Sequence, residues 1–363
     1  MLASVVGNRP QLIKMAPVSA ELVRRGVDEY IIHSGQHYDE NMSGIFFREL
    51  GIPAPRKTLG VTEKTHGRMT AEMLQKLEDT FLEVKPDALL IYGDTNTTLA
   101  AALAAVKLHI PMAHVEAGPR LYDIDTPEEI NRIVADHASR IRFCPDDLSV
   151  DNLRKENITA NVYKTGDLMF DAFREFTPIA ARESKLLQSL GLDGSEPFAF
   201  VTVHRPNNTD SPQALHNLLA FVRESPMPVL FAVHPRTRAA CERNGLWDEL
   251  RSLPQARIAP AIGYIDVLAV LQKTTIVITD SGGLQKESYF AGKPAIVLFH
   301  ATPWPYLEEV GWLRHVGCLD ELRPADLADL VRSFRPQGPR PEFFGDGFAA
   351  RKVADILKAQ GWI

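Results

Sequence analysis

Cysteine is scarce in this chain of 363 residues, where Cys144, Cys241 and Cys318 stand far apart and odd in number. No C-x-x-C pair occurs, so neither a disulfide framework nor a zinc knuckle is expected, and a reducing cytoplasm fits. Long apolar runs are lacking as well. No stretch is long enough to span a bilayer, so no membrane partner is expected. The opening "MLASVVGNRPQLIKM" has a short apolar run with no basic leader, and reads as a first strand rather than a secretory signal. Positive charge is not in surplus either. With 40 Lys and Arg against 46 Asp and Glu the formal charge is -6. That disfavours nucleic acid as a partner, because neutralising phosphates takes clustered Lys and Arg. It leaves room for a local cationic pocket that takes a small anion.

Two nucleotide fingerprints are also missing. "GxxxxGK[ST]" occurs nowhere, and no predicted strand is followed by "GxGxxG", which excludes a Walker A loop and a dinucleotide fold of the usual kind. A short-period solenoid repeat and low-complexity tracts are absent too.

What the chain does have is a rhythm. "LASVV" leads through "GNRP" into "QLIKMAPVSAELVRRG" and then "EYIIHSG"; "DALLIY" leads through "GDTNTT" into "LAAALAAVKLH" and then "PMAHVEAG". Short, nearly continuous apolar runs that alternate with amphipathic stretches predict parallel strands covered on both faces by helices. The rhythm restarts in "PFAFVTVHRP", "MPVLFAVHP" and "IVITDSGG". The expectation is an α/β protein of two Rossmann-like, doubly wound domains, 1–169 and 170–341, with a C-terminal segment 342–363 that crosses back to the first domain.

Ligands of open α/β sheets sit beyond the carboxyl ends of the strands, so the residues in those turns are the candidates. In "DSGGLQKES", Ser281, Gly282 and Gly283 open a helix. Its free N–H groups and the missing side chains would suit an anion, and Glu287, further along, would suit ribose hydroxyls. The same letters also describe a tight turn with an N-cap. Arg9 stands at the mouth of a helix that Pro10 helps to start, where dipole and guanidinium both favour an anion. Lys14, one turn on, reads more simply as a solvated helix lysine. Acids end or follow other strands: Asp94 after "LLIY", Glu116 after "MAHV", and Glu128 and Glu129 in "PEEINR". Asp94 could cap the next helix, and Glu128 or Glu129 could sit in a helix's first turn; Glu116 has no helix to cap. Together they suggest proton transfer. His204 and His234 end strands in the second half at matching places. His33 and His37 are spaced i,i+4, but the intervening glycine makes a metal-binding helix a poor reading, and no metal is assigned.

The segments "GNRPQLIKMAPV", "HSGQHYDENM", "GDTNTTLAAALAA", "HVEAGPR", "PEEINR", "VTVHRPNN", "AVHP" and "DSGGLQKES" stand in the order found in the non-hydrolysing UDP-N-acetylglucosamine 2-epimerases. The chain resembles that family over nearly its whole length. The resemblance implies a glycosyltransferase-B-like pair of domains with the active site in the interdomain cleft, a homodimer, and no cofactor. The reaction it implies exchanges UDP-N-acetylglucosamine and UDP-N-acetylmannosamine by eliminating UDP to a 2-acetamidoglucal and adding it back to the other face. It also implies roles: Asp94, Glu116 and Glu128 as acids and bases, with Arg132 and Lys14 beside them; His204 assisting the departing diphosphate; Arg9, His234, Ser281, Gly282 and Gly283 holding the nucleotide; and Glu287 on the ribose.

Three departures from the family pattern stand out. Where bacterial members carry an "RDTTERPE"-like segment, this chain has "HATPWPYL", with Phe299 and Trp304 where arginines would stand; "GLQKESYF" replaces "GIQEEAP". A related branch acting on UDP-2,3-diacetamido-2,3-dideoxyglucuronic acid looks similar here, so that substrate is the alternative. "QHYDEN" keeps Gln36 but has Asp39 where a second glutamine is usual, which implies weak or absent activation by substrate. A glycosyltransferase of the same fold and a binding protein without turnover are the remaining readings. The cluster of acids favours the epimerase over both.

Overall fold

Each apolar run forms a strand of a parallel sheet, and the amphipathic stretch after it returns the chain as a helix. The computed structural model describes residues 1–35, 46–192, 196–260, 262–336 and 338–363. Two units are present, Met1–Glu175 with Glu342–Ile363, and Phe176–Pro341. The break between them falls within the helix Leu168–Glu183.

In the first unit, β1 (Leu2–Val6), β2 (Glu29–His33), β3 (Lys57–Thr58), β4 (Ala88–Tyr92), β5 (Met112–Val115), β6 (Ile141–Cys144) and β7 (Val162–Lys164) pair in the order β3-β2-β1-β4-β5-β6-β7. In the second, β8 (Ala199–Thr202), β9 (Val229–Ala232), β10 (Ala256–Ala259), β11 (Ile276–Thr279), β12 (Ala295–Val297) and β13 (Leu313–His315) pair in the order β10-β9-β8-β11-β12-β13. The order reverses direction between β1 and β4 in one sheet and between β8 and β11 in the other. At such a point the two flanking loops leave in opposite directions and open a crevice.

Both faces of the central strands are buried, which is why their runs are apolar throughout rather than alternating, while the edge strands β3, β7, β10 and β13 are partly exposed. In the second sheet Ala199, Val201, Ile276 and Ile278 face Leu218 and Phe221, while Phe198, Phe200 and Val277 face Val270 and Leu271. In the first, Ala3, Val5, Leu89 and Ile91 pack against Met73, Leu77 and Phe81. Each of these Val, Leu, Ile, Phe and Met side chains contributes about 1.5–3 kcal/mol when fully buried. The alanines of "LAAALAAVK" let the helix Asn96–Lys107 lie close to this sheet, with Ala100, Ala101 and Ala102 wholly enclosed. No helix among the described residues is long and apolar enough to cross a membrane.

The C-terminal helix Ala349–Ala359 lies in the first unit. Asp355 on it pairs with Arg25 at 2.7 Å. Its first N–H groups, which have no partner within the helix, are met by Asp171, which accepts from Ala349 N at 3.0 Å and Ala350 N at 2.8 Å. Burial pushes the Asp171 carboxyl up from an ordinary 3.8 to about 6, against the pull of those two donors. A raised value means that between about pH 4 and 6 the folded chain keeps a proton the unfolded chain has lost. Stability from this group therefore falls as pH rises through that window and is constant above it, by at most about 1.4 kcal/mol per pH unit. Thermal unfolding of wild type and Asp171→Asn from pH 4 to 7 should show the wild-type advantage shrinking up to about pH 6 and then levelling. Parallel curves would show that Asp171 does not titrate in this way.

Candidate active site

In each unit several of the sequence-derived candidates lie at or beside the switch point of the sheet. In the first, β1 ends at Gly7 and Asn8, whose side chain accepts from Gln11 N at 3.2 Å and starts the helix Arg9–Arg24. Arg9 is the first residue of that helix, half-buried, with its guanidinium 5.1 Å from the centre of the Phe46 ring. On the other side of the switch, β4 runs into the Gly93–Asp94 turn. Gln11 ties the two turns together, accepting from Gly7 N at 2.7 Å and donating to Tyr92 O at 2.8 Å.

Lys14 is not solvated. It is buried, and its ammonium lies 2.5 Å from Glu116 Oε2. The surface preference of lysine yields here because a carboxylate is delivered to it inside the fold. Glu116 follows β5 with φ at 66°, a left-handed backbone that costs a non-glycine residue about 1–2 kcal/mol. This conformation turns its side chain back toward the Gly93 turn, where a Cβ added to Gly93 would lie 3.4 Å from Lys14 Nζ and 3.6 Å from Glu116 Oε2. Lys14, Glu116, Phe143, Thr165 and Asp167 line a small pocket beside this pair.

Asp94 does not cap the next helix, because Thr95 occupies that place. Its carboxylate instead meets the Arg132 guanidinium, and its carbonyl accepts from Asn131 Nδ2 at 2.9 Å. Arg132 also holds Glu129 at 2.8 Å. Burial would lower the Arg132 guanidinium, but Asp94, Glu129 and Glu116 around it raise it. The two adjacent glutamates thus separate. Glu129 is buried and accepts from Leu121 N and Tyr122 N at 2.9 and 2.8 Å, holding the loop, while Glu128 is exposed in the first turn of the helix Pro127–Ala138.

Beneath these turns lies Asp136, fully buried, which no reading of the sequence singled out. It meets His114 Nδ1 at 2.7 Å, Gly118 N at 3.1 Å and the Arg120 guanidinium at 2.7 Å. His114 passes the contact on through Nε2, 2.7 Å from Gly93 O. Burial alone would raise the Asp136 carboxyl, and His114 and Arg120 hold it below its ordinary value.

The second unit repeats the plan. β11 ends at Asp280, wholly buried, whose carboxylate accepts from His204 N at 2.9 Å, Arg205 N at 2.8 Å and Asn208 Nδ2 at 3.1 Å, and lies 3.1 Å from His204 Nδ1. Against the upward push of burial, His204 and these N–H groups keep Asp280 below its ordinary value. His204 is thereby aimed, half-exposed, at the mouth of β8. The His234 ring lies 5.4 Å away, and His234 itself caps the helix Pro235–Arg243 through Arg236 N. Next to Asp280, Ser281 caps the helix Gly282–Phe290, its hydroxyl accepting from Leu284 N at 3.5 Å. Neither Gly282 nor Gly283 has positive φ. A Cβ on Gly282 would come no nearer than 3.9 Å to Trp304, so packing does not call for glycine there. Glu287 is buried on the same helix.

The two aromatics in place of arginines each take a cation. The Arg205 guanidinium lies 4.2 Å from the centre of Phe299, and the wholly buried Lys286 ammonium 4.5 Å from that of Trp304. Gln36, His37 and Asp39 lie outside the described residues.

A family model described as UDP-N-acetylglucosamine 2-epimerase matches residues 20–358. The chain is 39% identical over 364 residues to the UDP-2,3-diacetamido-2,3-dideoxy-D-glucuronate 2-epimerase of Pseudomonas aeruginosa, covering 98% of this chain and 99% of that one. It is 37% identical over 364 residues to the UDP-N-acetylglucosamine 2-epimerase of Methanocaldococcus jannaschii, covering 98% of each. The crystal structure of a UDP-GlcNAc 2-epimerase from that organism, in complex with UDP-GlcNAc and UDP, superposes with a TM-score of 0.91 at 34% identity, covering 99% of each chain.

Asp280→Asn keeps the shape but replaces an acceptor oxygen with an amino group that faces N–H donors. Leaving one buried N–H unmatched costs about 1–3 kcal/mol. Because the folded carboxyl lies below its ordinary value, its contribution is present above the unfolded pKa and is lost as pH falls through the folded one. Denaturant unfolding at pH 7 should show Asp280→Asn less stable, with the deficit closing in acid. An unchanged midpoint at pH 7 would mean that Asp280 does not hold these turns.

Proposed function

Because this chain belongs to the UDP-N-acetylglucosamine 2-epimerase family, we propose that it interconverts UDP-N-acetylglucosamine and UDP-N-acetylmannosamine without a cofactor. The proton at the second carbon of the sugar has no carbonyl beside it, so enolisation is closed. Elimination offers a route: a base takes that proton, the bond from the anomeric carbon to the diphosphate oxygen breaks, and UDP leaves with the electron pair. The double bond of the resulting 2-acetamidoglucal then takes a proton from the opposite face while UDP adds back. The protein must position acids and bases and hold UDP meanwhile.

The observation that carries this reading is Glu116, kept in a strained backbone with its carboxylate on Lys14 beside the Asp94–Arg132 pair. In the proposed division of labour, Glu116, Asp94 and Glu128 move protons, and Lys14 and Arg132 orient the first two. His204, aimed by Asp280, donates to the departing diphosphate; Arg9, His234, Ser281, Gly282 and Gly283 hold the nucleotide, and Glu287 accepts from the ribose. The Pseudomonas relative, which matches over as much of the chain, favours UDP-2,3-diacetamido-2,3-dideoxyglucuronate as the second substrate reading.

Proton NMR of the enzyme with UDP-N-acetylglucosamine in D₂O should show UDP-N-acetylmannosamine carrying deuterium at its second carbon. If neither epimer nor exchange appears, while the diacetamido-glucuronate substrate does exchange, the second reading replaces the first. Asp94→Asn, Glu116→Gln and Glu128→Gln should each cut turnover by roughly 10²–10⁴-fold while UDP affinity stays near wild type. Full turnover in all three would remove the proposed chemistry.

Gly282→Ala separates packing from binding. Alanine fits the space and is the better helix former, so stability should hold or rise by about 0.4–1 kcal/mol. A methyl group between the helix mouth and the diphosphate should lower UDP affinity by about tenfold or more, a loss of roughly 1.4 kcal/mol. Unchanged affinity by calorimetry would move the diphosphate away from this turn.

A further inference from the structure

The carboxyl edge of the second sheet also carries a group of side chains that the proposed reaction leaves unused. β12 and β13 run parallel with Val297 opposite His315. The residues three beyond each, His300 and Cys318, therefore leave the sheet side by side. Glu321, in the 3-10 turn Leu319–Glu321, folds back toward both. Its Oε2 lies 3.0 Å from His300 Nε2 and accepts the Cys318 N–H at 2.9 Å. The imidazole nitrogen, the sulfur and the carboxylate oxygen all lie within 4.8 Å of one another. Gly317, with φ at 82°, makes this convergence possible, since a Cβ there would stand 2.6 Å from Glu321 Oε2 and 3.1 Å from His300 Cε1.

We propose that His300, Cys318 and Glu321 form a binding site for a divalent cation of the zinc class, with solvent as the fourth ligand. One nitrogen, one sulfur and one oxygen donor suit a borderline-soft, tetrahedral ion; magnesium and calcium require oxygen donors throughout. At metal–ligand distances of about 2.0–2.3 Å, tetrahedral donors stand roughly 3.5 Å apart. The imidazole nitrogen and carboxylate oxygen, 3.0 Å apart, must part slightly, and both must approach the sulfur, which lies within 4.8 Å; the exposed side chains of His300 and Glu321 can do this by rotation. Binding forms the metal–sulfur bond and releases the Cys318 thiol proton to solvent, while the metal replaces the direct contact between His300 and Glu321. Capping of the 3-10 turn accounts for the Glu321 carboxylate and the Cys318 backbone but makes no use of His300.

The site would act as a clasp and take no part in proton transfer. His300 follows Phe299, whose ring lies under Arg205. Leu319 N donates to Asn208 Oδ1 at 2.9 Å, and Asn208 donates on to Asp280. A cation joining His300 to Cys318 would fasten the two loops that flank the Asp280 network.

Cobalt(II) titrated into chelator-treated, full-length protein is the probe. One equivalent should bind and produce a thiolate-to-cobalt charge-transfer band in the near ultraviolet. Cys318→Ser should abolish that band. His300→Gln, at an exposed position, should weaken cobalt affinity by at least the roughly 10–100-fold that even outer-shell partners of a metal ligand contribute. Absence of the band in wild type, or its persistence in Cys318→Ser with Cys144 and Cys241 intact, overturns the proposal. If Cys318→Ser does not fold, unchanged cobalt affinity in His300→Gln overturns it alone. None of these readouts depends on turnover, so the clasp can fail while the epimerase reading stands.

Discussion

The turns at the carboxyl edge of each sheet depend on one fully buried aspartate. A parallel sheet covered on both faces ends in loops whose N–H groups have lost both the ladder and water, and an unmatched one costs free energy comparable to a lost hydrogen bond. Asp136 in the first unit and Asp280 in the second meet that demand at the point where the cost is greatest. Asp136 gathers one backbone N–H, the Arg120 guanidinium and His114, Asp280 two backbone N–H groups, an amide and His204, and each carboxyl is held below its ordinary value despite full burial. A buried charge with this many donors is tolerated because several partners share its desolvation, whereas removal of any one of them leaves the charge exposed to that cost. The consequence is geometric: His204 and the Gly93 turn are held by the aspartate beneath them and need no substrate to order them.

Glu116 shows a different balance. Its backbone strain costs about 1–2 kcal/mol, and a glycine there would avoid it. The ion pair with Lys14 does not make up that difference in any dependable way, because buried pairs break even with apolar packing about as often as not. Stability therefore gives little reason for a glutamate at this position. A carboxylate that must project from the end of β5 toward the turn after β4 does, since the short reach of the side chain leaves a left-handed residue as the route.

Much of the fold was legible in the sequence, because strands buried on both faces leave an unbroken apolar signature and the helices between them a periodic one. Among the acids, Glu116 stands out in the sequence because it has no helix to cap, whereas Asp94 reads equally well as a cap and only the fold places its carboxylate on Arg132. What was not legible required three-dimensional pairing. Lys14 reads as a surface lysine until the turn of Glu116 delivers its partner. Asp136 sits in the third turn of an amphipathic helix, with no local mark to separate it from a solvated aspartate. Asp280 is the first letter of "DSGG", a string whose local pattern points to the turn after it and carries no mark of the N–H groups that the carboxylate meets. His300 is separated from Cys318 and Glu321 by β13, and only the register of β12 against β13 brings them together.

Phe299 and Trp304 show how a local departure from a family pattern can be internally consistent. A cation over an aromatic face gains about 0.5–1 kcal/mol when exposed and about 2 or more when desolvated. The larger figure applies to Lys286, which is wholly buried with its ammonium against Trp304. A second cation in place of that indole would have left two positive charges together in a dry interior, so the lysine in "GLQKES" and the tryptophan in "HATPWP" form one compatible substitution. The same holds more weakly at the half-exposed Arg205, whose guanidinium is spread over Phe299 and pinned by Asp280 O at 2.7 Å. Both Arg205 and Lys286 are thus fixed against aromatic faces. Trp304 adjoins the Gly282 turn, which the proposed function gives to the diphosphate, and a rigid, poorly hydrated wall there discriminates the shape of a ligand.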